Sequence, residues 1–161
     1  MMRSNSIRNI LYGHIAALAA VCPFVSCSTD TTYHHYEAVR AEGWGKLDTF
    51  YFKVDTIVRP GRYTTALCLR TNADYPYRRI SARVMQEIKP RHTANARTVS
   101  VEIICENGIH DGDGITYYTH EAPVDTLELR PGDSLFVKVA HYMRRETMPG
   151  ITDVGIKVER K

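Results

Sequence analysis

Gly132-Asp133-Ser134-Leu135 is the run with the most chemical promise. It spells a serine-esterase motif, in which the Ser attacks and a later Asp and His relay its proton. Only 26 residues follow it, and no Asp-x-x-His stands among them. Pro131-Gly132-Asp133 ahead of an alternating run is a turn signal in its own right. The motif is therefore read as a turn. Asp111-Gly112-Asp113-Gly114 resembles the start of a calcium loop. Such a loop needs an oxygen ligand at its fifth position and Glu at its twelfth, where this chain has Ile115 and Ala122. A glycine turn is expected there too. His34, His35, His92, His110, His120 and His141 show no metal-ligand spacing, and tandem His34-His35 on a strand would face opposite ways. Neither a Cys-x-x-Cys pair nor a glycine-rich phosphate loop occurs. No catalytic set, metal site or cofactor is expected.

The elements that would position these residues are strands. Phe50–Val54, Tyr63–Arg70, Ile80–Ile88, Arg97–Cys105, Val124–Leu129, Leu135–Val139 and Asp153–Arg160 alternate apolar and polar residues. That period of two, broken by turn residues at short intervals, predicts strands rather than helices. The expected fold is all-β, a single antiparallel β-sandwich of the immunoglobulin-like or jelly-roll-like kind. Cys68 and Cys105 could form a disulfide or stand as two buried thiols. Cys105 shares the core parity of Val99, Val101 and Ile103, whereas Cys68 lies opposite Leu67 and Leu69. Asp74-Tyr75-Pro76-Tyr77 is a compact aromatic turn, and Pro between aromatics favours a cis bond.

The N-terminal segment reads as an address. Arg3 and Arg8 precede an apolar stretch from Ile10 to Val21, then Phe24-Val25-Ser26-Cys27. Basic region, apolar core and small residue before a Cys is the order of a lipoprotein signal peptide. Cys22 is the poorer lipidation site, since it follows bulky Val21 and precedes Pro23. Residues 1–26 are expected to be cleaved and Cys27 to carry the lipid. Residues 27–40 then form the lipidated N-terminus and tether, and 41–161 the sandwich. Acyl chains contribute ~0.8 kcal/mol per buried CH₂, so the anchor would hold without a transmembrane helix. Ser28 in place of Asp, and only one acid in Ser28-Thr29-Asp30, favour the outer membrane and its periplasmic side.

The chain carries 21 Lys+Arg against 18 Asp+Glu, a formal +3, of which two charges lie in the signal. That excess does not point to nucleic acid. Charge is nonetheless uneven: residues 59–97 hold nine basic and two acidic residues, and 98–161 seven and eleven. Arg78, Arg79, Arg83, Lys89 and Arg91 could form a basic patch, or pair with acidic strands across the sheet. Tyrosines and Trp44 offer rings for an interface or for stacking on a glycan.

The order of motifs resembles the gliding-motility lipoprotein GldH family of Bacteroidota. Cys27 is followed by Tyr33-His34-His35-Tyr36-Glu37, then Gly43-Trp44-Gly45-Lys46 and Asp48-Thr49-Phe50. Gly61-Arg62-Tyr63, Leu69-Arg70-Thr71-Asn72 and Asp74-Tyr75-Pro76-Tyr77 come next. Pro131-Gly132-Asp133, His141-Tyr142-Met143-Arg144 and Pro149-Gly150-Ile151-Thr152-Asp153-Val154-Gly155-Ile156 complete the series. The resemblance spans the chain after Cys27, more loosely over 86–122. It implies a non-enzymatic outer-membrane lipoprotein, required in gliding members for movement over surfaces and acting in the cell envelope or motility machinery. The partners expected are the membrane, through the lipid, and envelope proteins, with a glycan as the alternative. Trp44, Tyr75, Tyr77 and Arg144 are the candidate interface residues.

Overall fold

The computed structural model describes residues 30–161. The signal segment and Cys27 lie outside them. Ten strands follow in order: β1 (Asp30–Ala38), β2 (Trp44–Gly45), β3 (Phe50–Val54), β4 (Gly61–Asn72), β5 (Arg79–Lys89), β6 (Thr93–Glu102), β7 (Tyr117–Leu129), β8 (Ser134–His141), β9 (Thr147–Met148) and β10 (Ile151–Arg160). Alternation in sequence becomes alternation in burial. On β5, Ile80, Ala82, Val84, Gln86 and Ile88 are buried, while Arg79, Arg83 and Met85 face water.

Two four-stranded sheets, β1-β10-β4-β7 and β3-β8-β5-β6, pack face to face, and every pairing is antiparallel. Their inner faces form one core. Leu67, Leu69, Val154, Ile156 and Val158 come from the first sheet, and Phe52, Val54, Val84, Leu135, Val137 and Val139 from the second. The fold is the β-sandwich that the alternation predicts.

The sandwich has two ends. At the base lie the start of β1, the β3–β4 loop and the turns β5–β6 and β7–β8. Asp133 is buried there and takes hydrogen bonds from Arg91 Nε (3.2 Å) and the Arg130 N–H (2.8 Å). Burial alone would raise its carboxyl, but these donors hold it below 3.8. Pro131-Gly132-Asp133 is thus a structural turn, with Gly132 at φ 90°. At the opposite end, the cap, β2 and β9 form a two-stranded ribbon over the core.

Two expectations need correction, the tether and the place of the cis bond, and two alternatives left open by the sequence are decided. Residues 27–40, expected as the lipidated N-terminus and tether, join the sheet from Asp30 onward, where β1 pairs with β10 along its length. Its sequence DTTYHHYEA hides this, because an edge strand held by backbone bonds has little apolar alternation. Cys68 and Cys105 are both free. Cys68 is buried on the outer face of β4, where loss of solvation pushes its thiol up to about 11. Cys105 lies half-buried in the loop beyond β6. The cis peptide bond is Lys89–Pro90 rather than Tyr75–Pro76. Finally, three of the five basic residues follow the pairing alternative, while Arg83 and Lys89 have no ion pair among the described residues. Arg78 meets Glu102 and Glu106, Arg79 meets Glu102, and Arg91 meets Asp133.

Candidate functional site

Three of the four residues expected at an interface help build the cap. Trp44 is 0% exposed. Its indole N–H donates to the Asp48 carbonyl (3.1 Å), and its ring meets the edges of Phe50 (5.6 Å) and His141 (5.5 Å). Tyr75 is 1% exposed, and its hydroxyl donates to the Arg79 carbonyl (2.9 Å). Tyr77 is half-buried against it at 5.8 Å. The Pro149-Gly150 turn leans on Asp74-Tyr75, and the Asn72 N–H donates to the Gly150 carbonyl (2.9 Å). Trp44 and Tyr75 therefore cannot reach a partner in this fold. Rings near turn glycines do not reveal which way they point, and here they point inward. Arg144 alone of the four is exposed.

A polar cleft of about 610 Å³ opens where the chain crosses between sheets, lined by His110, Asp111, Asp113 and His120. His120 Nε2 lies 3.0 Å from Thr71 Oγ1, and His110 stacks on Tyr118 at 4.3 Å. Asp113 bridges back to Thr119, which closes the glycine turn. Among the described residues no three His, Cys, Asp or Glu side chains gather so as to hold a metal ion.

Two buried histidines give the fold an acid-side sensitivity. Burial lowers the values of His120 and His141 from 6.5, with Asp111 opposing the shift at His120 and Lys46 adding to it at His141. A histidine lowered in this way stabilises the folded state only while neutral. Its contribution is complete above the unfolded value and falls as pH drops through 6.5 toward the folded values. The melting temperature should therefore fall from about pH 7 to about pH 5. His120→Asn combined with His141→Asn should flatten that slope, as read by thermal melts in matched buffers. An unchanged slope would assign it to other groups.

The outer face of β3-β8-β5-β6 is a better docking candidate. Strand register aligns Tyr51, Lys138, Met85 and Ala96 in one row and Lys53, Phe136, Glu87 and Ala94 in the next. Met85, Ala94, Ala96, Phe136 and Lys138 line a shallow, mainly apolar groove of about 400 Å³. Lys89 Nζ sits 4.5 Å from the Phe136 ring centroid and Lys138 Nζ 5.7 Å from that of Tyr51. Lys53, in the Phe136 row, and Arg83, on β5 one row beyond Met85, bring the cations to four. The carboxylates nearby are Glu87, held by His92 at 3.1 Å, and Asp55, 3.8 Å from Lys53. No described segment of the chain covers this face. Its signal was present in the sequence, in Tyr51, Met85 and Phe136 at outward parity on three strands that the topology makes neighbours.

Compared with known families, the chain matches the family model described as GldH lipoprotein over residues 31–158. No curated protein matches the chain.

Proposed function

The chain belongs to the GldH lipoprotein family, and from that premise we propose that it is a non-enzymatic lipoprotein of the outer membrane. Cys27 carries the lipid, and the sandwich faces the periplasm. There it docks protein partners as an interaction or assembly component of the cell envelope or motility machinery. The observation that carries this reading is the apolar groove on β3-β8-β5-β6, rimmed by Lys53, Arg83, Lys89 and Lys138. An apolar centre with a charged rim is the anatomy of a protein interface, and the excess of cations fits a partner surface bearing carboxylates. A glycan platform is less well supported. Trp44 is interior, and lysines lie over the Tyr51 and Phe136 rings.

Affinity capture from native membranes after mild crosslinking, beside a Cys27→Ala control, tests the reading. The expected result is a defined set of envelope proteins, lost in the control. Met85→Arg should reduce the yield about tenfold while leaving the melting temperature near wild type, as expected of a substitution at the centre of an interface. No specific partner, or full capture by Met85→Arg, would count against it.

A further inference from the structure

The sandwich has a base and a cap, and the lipid attaches next to the base. The inference here rests on the reading of Cys27 as the lipidated residue. β1 begins at Asp30, and only Ser28 and Thr29 separate it from Cys27. A chain reaches at most ~3.6 Å per residue, so these three steps span about 10 Å. The cap stands a strand length away, about 30 Å at ~3.3 Å per residue. With so short a connection, the base stays within reach of the lipid headgroups.

The surface of the base suits that position. Arg59, Arg62, Arg130, Arg160 and Lys161 cluster there against Asp30, Asp55 and Glu128. Arg59 and Arg160 share Asp30 at 3.5 Å each, and Arg62 meets Glu128 at 3.5 Å. Pairs this long and exposed hold little energy and exchange readily for other anions. Arg130 and Lys161 have no ion pair among the described residues. Val58 projects from the same surface, 82% exposed in the β3–β4 loop. The loop itself is fixed. Ile57 is buried, its N–H donates to the Asp133 carbonyl (2.7 Å), and its carbonyl accepts from the Gly132 N–H (2.9 Å). A rigidly presented aliphatic side chain ringed by arginines is suited to an anionic bilayer surface.

We propose that the base rests on the membrane, with Val58 entering the headgroup layer and Arg59, Arg62 and Arg130 on the phosphates of anionic lipids. The sheets then stand upright, the groove on β3-β8-β5-β6 faces sideways into the periplasm, and the cap points away from the bilayer.

The test uses the full-length lipidated protein in vesicles of phosphatidylcholine with brominated acyl chains, with or without phosphatidylglycerol. Trp44, the native tryptophan, reports from the cap, and Val58→Trp adds a reporter at the base. The added emission should be quenched several times more strongly than that of Trp44, and more so with phosphatidylglycerol. Arg59→Glu with Arg62→Glu and Arg130→Glu should abolish the phosphatidylglycerol dependence. If the protein floats with the vesicles but Val58→Trp is quenched no more than Trp44, the orientation is wrong while the lipid anchor stands. If quenching is the same in both lipid mixtures, the contact with anionic headgroups is overturned. If the protein does not float, the anchor fails and the inference fails with it.

Discussion

Trp44→Ala should lower the melting temperature by roughly 10–20 °C. Removing a fully buried Trp costs about 3–5 kcal/mol, and in a domain of this size each kcal/mol moves the midpoint by a few degrees. The loss is larger than lost ring area alone, because the indole ties the cap together. It packs on Phe50 and His141, and its N–H satisfies the Asp48 carbonyl. Asp48 in turn takes the Gly45 N–H (3.0 Å) and the Arg40 guanidinium (2.8 Å). Trp44→Phe keeps most of the volume and should fall between wild type and Ala. Thermal melts of the three proteins check this. An Ala variant within a few degrees of wild type would mean that the β2–β9 ribbon is not part of the cooperative fold.

Gly150→Ala should be the more damaging of two glycine substitutions with the same backbone cost. Gly150 has φ 75° and Gly132 has φ 90°, both in the left-handed region. An alanine there costs ~1–2 kcal/mol for conformation alone. At Gly132 a Cβ meets nothing within 4 Å. At Gly150 it would lie 2.6 Å from Tyr75 Cα, a backbone atom that cannot move without shifting the whole turn. Overpacking adds about 1–3 kcal/mol. Gly150→Ala should therefore cost ~2–5 kcal/mol against ~1–2 for Gly132→Ala. Equal costs in urea unfolding would show that the Gly150–Tyr75 contact contributes nothing.

The fold was largely legible because burial follows parity. The strands with one apolar face, from Phe50–Val54 to Asp153–Arg160, could be seen from their alternation. β1 could not, since its partners are backbone groups of β10 and its side chains are mostly exposed. The starts of β6 and β7 were hidden for related reasons: Thr93–Ala96 extends past the core and buries little, and over Tyr117–Pro123 the inward positions are polar His120 and small Ala122 among exposed neighbours. The site was less legible than the fold. A tyrosine beside a turn reads the same whether it closes a core or greets a partner, and only the packing of Pro149-Gly150 on Tyr75 separates the two. The groove was concealed differently. Tyr51, Met85 and Phe136 are scattered in the chain, and the sheet order β3-β8-β5-β6 makes them neighbours. The base required both the start of β1 and the positions of five cations in space.

On this reading the motif residues are architecture, and the proposed partners meet the outer sheet face. Trp44→Phe separates the two roles, with thermal unfolding and partner capture measured on the same full-length preparation. Capture should follow the folded fraction, and well below its own midpoint the variant should retain wild-type yield. A folded Trp44→Phe protein that has lost its partners would return the binding site to the cap.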